Sequence, residues 1–265
     1  MKNKKMYLLL ACLISMAVSC KKTDSLSGDA TNQDVLTSDA ASRLGINESD
    51  IAESRIVNPE NFVQGVSNPF FPLNPGDTYH YLSSFVNDGV TVYHNGDFNV
   101  TDQTKVIQGV TCIIVHDVTT GTDATLIEDT YDWFAQDILG NVWYFGEDTK
   151  KYDENGNVST AGSWEAGVDG AIAGIQMWAH PRAHIGQTYN QEYYSGIAED
   201  KAKVINGNVI ANVEFGSFQN CVRIKEFTPI EPGINGYKQY KEGIGMVSSA
   251  TPIEGESAEL ISITH

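Results

Sequence analysis

The residues best suited to chemistry lie between positions 131 and 170, where tryptophans are interleaved with carboxylates. Three of the four tryptophans fall in this stretch, and Trp178 follows closely. Among the acids interleaved with them are Asp132, Asp137, Glu147, Asp148, Glu165 and Asp169. Alternating aromatic rings and carboxylates are typical of a half-buried strand, and also of a surface that binds a ligand. For each tryptophan taken singly, a place in the hydrophobic core is an equally good explanation.

A ligand site is expected where the hairpin over 131–147 meets segment 160–185, which is predicted to be a long loop covering a cleft. Side chains alternate along a strand, so Asp132 and Gln136 face away from Trp133, which is expected in the core. Exposed rings beside hydrogen-bonding acids favour a neutral glycan or a cationic peptide as the ligand. The predicted ligand-binding residues are Asp132, Gln136, Glu147, Trp164, Glu165 and Trp178.

Two weaker patterns are compatible with a metal ion. His180 and His184 have the i, i+4 spacing of zinc ligands on a helix, but Pro181 between them favours a loop. The pattern D-x-x-G-N-V begins at Asp137 and again at Asp153, and its oxygen-bearing side chains suit calcium. The same pattern is ordinary hairpin-turn chemistry. We expect no cofactor, with zinc at the histidines or calcium at the turns as the alternatives.

Catalytic motifs are absent from the sequence. It lacks Gly-x-Ser-x-Gly, and neither Cys112 nor Cys221 lies in a polar, activating context. Because the chain has 34 acids, a hydrolase-like carboxylate pair is expected by chance alone. Such a pair could be drawn from Asp132, Asp137, Glu147, Glu165 and Glu199. Binding is therefore favoured over catalysis. An envelope hydrolase using carboxylates or a His-bound metal, and a structural lipoprotein, stay open as alternatives.

The N-terminus predicts export and a lipid anchor. Residues 1–5 are basic, and residues 6–18 form an apolar run too short for a permanent membrane span. The run ends at Ala17-Val18-Ser19-Cys20, which resembles the bacterial lipobox. That resemblance implies acylation of Cys20, palmitate being one such chain, and membrane attachment. By resemblance to Gram-negative lipoproteins, Lys21 favours the outer membrane. The alternative is a plain secretory signal with an incidental cysteine.

Charge and composition divide the rest of the chain. The formal net charge is −17, and loss of the signal peptide (1–19) removes three lysines and no acids. So acidic a protein is not expected to bind nucleic acid.

Residues 20–50 are predicted to be a lipidated, disordered tether, and residues 51–265 a single domain. Cys112 and Cys221 lie in apolar runs, where two buried thiols and one disulfide are equally compatible.

The domain is predicted to be mainly β: a single antiparallel sheet, strongly curved or of half-barrel form, with a long covering loop. Short β-rich runs recur throughout, and no helical period persists. The run over 105–118 is predicted to be one strand. Residues 203–210, around Asn206-Gly207, are predicted to form the clearest hairpin. Further tight turns are expected at Asn95-Gly96, Gly140-Asn141 and Asn155-Gly156.

Several longer motifs resemble a family of secreted bacterial β proteins over residues 58 to 247. They are NPFFPLxPG at 68–76, EDTxDWxAQD at 128–137, GNVWYFGE at 140–147 and GSWEAGxDGA at 162–171. The resemblance implies a shared β domain and brings no established activity, cofactor or catalytic residue. The ending YxxYxxGIGMV at 237–247 is also similar, less specifically, to the last strands of exported half-barrel domains.

Overall fold

The computed structural model describes residues 57–265. The predicted signal peptide (1–19), Cys20 and the tether to residue 50 lie outside the described residues. Two short 3₁₀ helices, Pro59–Asn61 and Pro181–His184, accompany sixteen strands. The strands are β1 (Phe62–Val63), β2 (Thr78–Asn87), β3 (Val90–Ile107), β4 (Val110–Gly121), β5 (Leu126–Asp137), β6 (Val142–Tyr152), β7 (Val158–Ser159), β8 (Trp164–Glu165), β9 (Ile172–Met177), β10 (Thr188–Asn190), β11 (Glu192–Tyr193), β12 (Lys201–Val213), β13 (Gly216–Phe227), β14 (Gly236–Lys241), β15 (Gly245–Thr251) and β16 (Glu256–Thr264). Among these residues, no helix has the length and apolar character needed to cross a membrane.

All sixteen strands belong to one antiparallel sheet. Its main order is β10-β12-β13-β14-β15-β16-β2-β3-β4-β5-β6-β9-β11, while β1 pairs with β5, and β7 and β8 pair with β6. Most neighbours in this order are also neighbours in sequence, because hairpins join them. The pairing of β16 with β2 instead joins the two ends of the described chain. The prediction of a mainly β, strongly curved antiparallel domain is confirmed.

The sheet curls until its two ends meet. β10 pairs with β12 at one end and β11 pairs with β9 at the other, yet only Gln191 separates β10 from β11. The chain therefore passes directly from one end of the sheet to the other. This crossing needs a glycine at position 174, because a Cβ there would lie 2.5 Å from the carbonyl oxygens of Asn190 and Gln191. The curl encloses an interior lined by one face of the sheet.

The interior changes character along its length. On β5, the buried inward-facing residues run from Glu128, Thr130 and Asp132 to Phe134. Alternation along the strand places Trp133 on the opposite, outer face, where the Lys105 ammonium lies 3.3 Å from its ring centroid. One half of the interior is thus polar and the other half aromatic.

The NPFFPLxPG motif closes the aromatic half of the interior. Phe71 packs against Phe98 and Phe134, with ring centroids 6.1 and 5.1 Å apart. The Asn68 amide donates to the carbonyl oxygens of Gly140 and Trp178, at 2.8 and 3.1 Å. This part of the chain is therefore held across the sheet by both packing and hydrogen bonds, and we call residues 66–76 the cap segment.

Two of the four predicted tight turns are wrong. Asn95-Gly96 lies within β3, where Gly96 pairs with both Tyr81 and Thr119. Asn206-Gly207 lies within β12, at irregularities of its pairing with β13, so the hairpin predicted for 203–210 does not exist. Asn-Gly tolerates turn conformations but does not impose them. Long partner strands hold Asn95-Gly96 extended on both sides, and β13 holds Asn206-Gly207 on one side.

A turn also interrupts the predicted strand over 105–118. Gln108 and Gly109 have φ of 51° and 83°, so β3 ends before them and β4 begins after them. Positive φ at both central residues is the geometry of a type I′ hairpin turn. Gln-Gly carries a weaker turn signal than Asn-Gly, which explains why the turn was missed. Cys112 and Cys221, whose pairing was left open, are buried free thiols.

The predicted covering segment, 160–185, packs over β6 and contributes strands of its own. β8 pairs with β6 at Gly146 and Glu147, and β9 pairs with β6 from Val142 to Tyr144. Gly146 has a φ of 126°, and a Cβ there would collide with the carbonyl group of Trp164. The glycine in GNVWYFGE thus allows the covering segment to approach the sheet.

Candidate functional site

A pocket opens into the aromatic half of the interior. Its walls are aromatic and come from the cap segment and from strands on both sides of the interior, with Phe71, Tyr79, Tyr81, Phe98, Phe134 and Tyr240 the largest contributors. The lining residues nearest to solvent are Pro72, Ile244 and Met246, which are half-buried. The free space is about 30 Å³, which is room for about two water molecules.

Tyrosines of β2 hold both sides of the pocket mouth. The hydroxyl of Tyr79 donates to the carbonyl oxygen of Pro72 at 3.3 Å, and that of Tyr81 donates to Met246 at 3.0 Å. The mouth is therefore formed by two segments, the cap segment and the start of β15, each tied to the same strand.

Two polar side chains, Asp132 and Gln176, line the otherwise apolar pocket. Both are almost completely buried, at 1% and 2% exposure. Asp132 Oδ2 and Gln176 Oε1 have no hydrogen-bond partner among the described residues. Gln176 Oε1 is an acceptor, and Asp132 Oδ2 is an acceptor when the carboxyl group is ionised, which a bound cation favours. The pocket therefore offers a site for a group that donates hydrogen bonds.

The other oxygen of Asp132 belongs to a hydrogen-bonded group of three residues. Asp132 and Glu147 lie opposite each other on β5 and β6. The hydroxyl of Tyr144 donates to Asp132 Oδ1 at 2.7 Å and lies 3.3 Å from Glu147 Oε2. The register of the two strands shifts between the pairs Asp132–Glu147 and Phe134–Tyr144. Tyr144 and Glu147, three residues apart on β6, can therefore both contact Asp132.

Burial raises the pKa values of these acids. Desolvation is the main cause of the raised pKa of Asp132, and the charge of Asp117 adds to it. Desolvation, with the charge of Asp132, raises the pKa of Glu147 to about 8. The Tyr144 hydroxyl lowers both pKa values by hydrogen bonding, but less than burial raises them. The pair therefore carries less than its full negative charge at neutral pH.

A second buried group lies on the other side of the interior. Lys238 Nζ on β14 is 2.8 Å from Glu226 Oε2 on β13, and both side chains are 1–2% exposed. The amide of Gln191 donates to Glu226 Oε1 at 3.1 Å. Burial raises the pKa of neighbouring Asp200, and the charge of Glu226 adds to it. This group fastens the crossing at Gln191 to β13.

The predicted ligand-binding residues do not converge on one site. Asp132 lines the pocket, and Glu147 is joined to it through Tyr144. Gln136 instead accepts a hydrogen bond from the Ser67 backbone at 2.8 Å. Glu165 forms an ion pair with Lys105, at 2.7 Å, on the outer face.

The tryptophans are part of the core. Trp133, Trp143, Trp164 and Trp178 are only 3–6% exposed. Trp164 packs edge-on against Tyr144 at 5.4 Å, and Trp178 stacks on His184 at 4.2 Å. The expected surface of exposed aromatic rings is therefore not present. The curl encloses the inner face of the sheet, and other side chains cover the outer face, with Lys105 over Trp133 at 3.3 Å and Phe62 against Trp143 at 5.8 Å.

The residues predicted for metal binding make structural contacts. His184 ends the 3₁₀ helix Pro181–His184, where a loop was expected, and its Nδ1 is 2.9 Å from Gln187 Oε1. His180 precedes the same helix. Within residues 57–265, no group of three or more His, Cys, Asp or Glu side chains is arranged to hold a metal ion.

The two D-x-x-G-N-V copies form matching turns, as the turn interpretation predicts. In each, the aspartate accepts hydrogen bonds from the backbone two and four residues later and from the asparagine amide. The copies differ in their surroundings. Asp137 is buried and also accepts from the Trp143 indole at 2.9 Å, whereas Asp153 is exposed.

Sequence reasoning missed the aromatic walls, Tyr144 and Gln176. The walls come from strands far apart in sequence, so no local pattern groups them. Gln176 carried one signal: it is the only polar side chain in the apolar strand β9. A polar side chain in an apolar strand is expected to be buried, and burial without a hydrogen-bond partner is costly. Such a residue is therefore a candidate for a functional site.

Comparisons with known proteins give structural neighbours only. No family model and no curated protein matches the chain, so the motif resemblance stays a prediction. One similar crystal structure is a protein from Bacteroides fragilis described as exported, with a YmcC-like fold. Its TM-score is 0.43 at 15% identity, over 74% of this chain and 99% of that one. Another, described as a lipoprotein from Parabacteroides distasonis, has a TM-score of 0.38 at 12% identity, with the same coverage.

Proposed function

We propose that the protein is a lipid-anchored component of the bacterial cell envelope, at the outer membrane, whose β domain binds a ligand in the interior pocket. The anchor rests on the sequence, in which a basic segment and an apolar run precede Cys20. The binding function rests on one structural observation. Asp132 Oδ2 and Gln176 Oε1 are buried and have no hydrogen-bond partner within residues 57–265, and both residues line the same aromatic pocket.

The energetics of these two acceptors favour a bound donor. A buried polar atom without a hydrogen bond costs about 1–3 kcal/mol. A ligand that donates to both atoms offsets that cost while its apolar part contacts the aromatic walls. Small-ligand sites are usually apolar pockets that contain a small number of polar groups, and this pocket has that composition.

Of the two expected ligand classes, the pocket favours a peptide over a neutral glycan. Sugars bind on exposed aromatic rings surrounded by donors and acceptors. All four indoles are buried, so none of them offers an exposed ring face on which a sugar could stack. A peptide supplies N–H donors together with an apolar side chain narrow enough to enter beside the cap segment.

Calorimetric titration of the full chain in detergent tests the binding function. Short peptides and neutral oligosaccharides are the probes, and we expect peptides to bind. Gln176→Leu removes one acceptor at nearly constant volume and should weaken binding at least tenfold. Gln103→Leu is the matched control, since Gln103 is exposed on β3. A folded Gln176→Leu variant with unchanged affinity for every ligand would place binding elsewhere. Absence of binding by all probes would favour a structural lipoprotein.

An envelope hydrolase is a second candidate, favoured by the shared hydroxyl of Tyr144. Asp132 and Glu147 flank this hydroxyl, and paired carboxyl groups with raised pKa values are suited to general acid and base roles. Chromogenic glycosides and peptides provide the assay. Turnover that disappears in Glu147→Gln would establish catalysis, and no turnover by the wild type would remove this candidate.

The anchor has its own test in cell fractionation. Wild-type protein is expected in the outer membrane, with an acylated Cys20 as its first residue in mass spectrometry. Cys20→Ala should move the protein into the soluble fraction. An unmodified amino terminus at another residue would refute the anchor without affecting the binding proposal.

A further inference from the structure

The chemistry at the base of the pocket specifies the ligand more narrowly. The two unpartnered atoms there, Asp132 Oδ2 and Gln176 Oε1, are both oxygen acceptors. A carboxylate or phosphate brings only further acceptors and would leave both atoms unsatisfied. The group that reaches the base must therefore carry at least two N–H or O–H donors.

The charges that surround Asp132 favour a cation. The acids acting on it or on its partner Glu147 come from four parts of the chain: Asp117 on β4, Glu128 on β5, Glu192 on β11 and Asp200 just before β12. The opposing cations are Lys238 on β14 and Lys151 on β6. Lys238 is already paired with Glu226 at 2.8 Å, and Lys151 lies 3.6 Å from Glu128. Both cations are therefore largely compensated, and a cation entering the pocket meets an excess of carboxyl groups.

The aromatic walls suit an organic cation. Ring faces attract ammonium and guanidinium groups, most strongly where water is excluded. The described part of the chain already has four such contacts between its own side chains, among them Lys105 over Trp133 at 3.3 Å and Arg182 over Phe70 at 5.0 Å. A bare Ca²⁺ ion would instead need six or more oxygen ligands, and the pocket base offers two unpartnered oxygens.

The free space of the pocket limits the size of the cationic group that can enter it. Room for about two water molecules accommodates a primary ammonium, which is about the size of one water. Its three N–H groups are enough to satisfy both acceptors. A quaternary ammonium is larger and has no donor, so it meets neither requirement.

We infer, on the basis of the proposed binding function, that the pocket takes a primary ammonium carried on an apolar or aromatic arm. The ammonium donates to Asp132 Oδ2 and Gln176 Oε1, and because the free space of about 30 Å³ holds little more than this group, the arm extends outward through the mouth between Pro72, Ile244 and Met246. An arylalkyl amine and the free amino terminus of a peptide beginning with an aromatic residue share this chemistry.

The test compares three probes of similar shape in titrations of the full chain in detergent at neutral pH. They are 2-phenylethylamine, 2-phenylethanol and 3-phenylpropanoate. We expect the amine to bind at least tenfold more tightly than the alcohol, and the carboxylate not to bind. Asp132→Asn should abolish the preference for the amine and leave the affinity for the alcohol unchanged. Asp148→Asn is the control, because Asp148 is exposed on the neighbouring strand.

The outcomes separate this inference from the proposed function. If the alcohol or the carboxylate binds as tightly as the amine, the ammonium inference is wrong and the pocket remains a binding site. If none of the three binds, the ammonium inference is wrong, and the titrations with peptides and oligosaccharides decide the proposed function separately. The wild-type comparison is decisive by itself should Asp132→Asn not fold. A phenylalanyl tripeptide, with its amino terminus free or acetylated, then identifies the source: tight binding of the free form alone indicates a peptide, and no binding of either indicates a small amine.

Discussion

At the scale of single residues, the two D-x-x-G-N-V turns allow the effect of burial on stability to be compared, because one aspartate is buried and the other is exposed. Asp137 and Asp153 make the same three bonds within their loops, but Asp137 also accepts from Trp143 in the core. Asp137→Ala leaves buried donors unpaired and should lower the free energy of unfolding by about 1–3 kcal/mol. Asp153→Ala leaves its donors in water, so a much smaller loss is expected. Urea unfolding of the two variants measures the difference, and equal losses would show that burial does not determine the effect.

Residue-level prediction succeeded where it needed only strand alternation. Asp132 and Trp133 lie on opposite faces of β5, as predicted, because side chains of a strand alternate whatever surrounds it. The same rule could not reveal that Trp164 and Trp178 are buried. Their burial depends on β8 and on the 3₁₀ helix packing over distant strands, which are long-range contacts. Gln176 was missed for the same reason, since its pocket is assembled from six strands and the cap segment.

At the scale of elements, Gly174 allows the two ends of the sheet to meet. Gly174→Ala places a methyl group against the backbone of Asn190 and Gln191, which cannot move without disturbing β10 and β11. Overpacking of this kind costs about 1–3 kcal/mol. Gly96→Ala is the matched control, because Gly96 also lies within a strand and its added Cβ would make an ordinary 3.7 Å contact with Tyr81. Thermal unfolding should separate the variants, and identical midpoints would mean that the crossing adapts.

The sequence predicts strands less well where the position of a turn decides their ends. Gly140-Asn141 and Asn155-Gly156 do form turns, each preceded by an aspartate that accepts backbone hydrogen bonds. Asn95-Gly96 and Asn206-Gly207 have no aspartate in that position and lie in strands. A side chain that satisfies the backbone of the turn therefore separated true from false turn signals in this chain. The strand pairings themselves, β16 with β2 above all, required the folded chain.

At the scale of the whole molecule, the buried acids should make the protein less stable as the pH rises. An acid whose pKa is higher in the folded state binds more protons when folded, so stability is lost between its unfolded and folded pKa values. Glu256 and Glu147, raised by burial to about 7 and about 8, place this loss between about pH 4 and pH 8. Burial lowers the pKa of His94, which acts in the opposite direction but is a single group.

Urea unfolding at several pH values measures this dependence. The free energy of unfolding should be lower at about pH 8 than at about pH 5, by on the order of 2 kcal/mol. Glu147→Gln removes the acid whose pKa, raised by burial to about 8, lies at the upper end of this range, and it should flatten the curve. A wild-type stability that rises with pH over this window would show that the interior carboxyl groups are solvated.

The position of β16 has a consequence for how the protein is made. This last strand lies between β2 and β15, and it pairs Thr264 with Thr78, near the two ends of the described chain. The sheet cannot be completed while the nine residues of β16 are still inside the ribosome. Contacts this distant in sequence slow folding. A nascent chain that folds late stays extended longer, and on the export route proposed above an extended chain is the form that passes through a secretion pore.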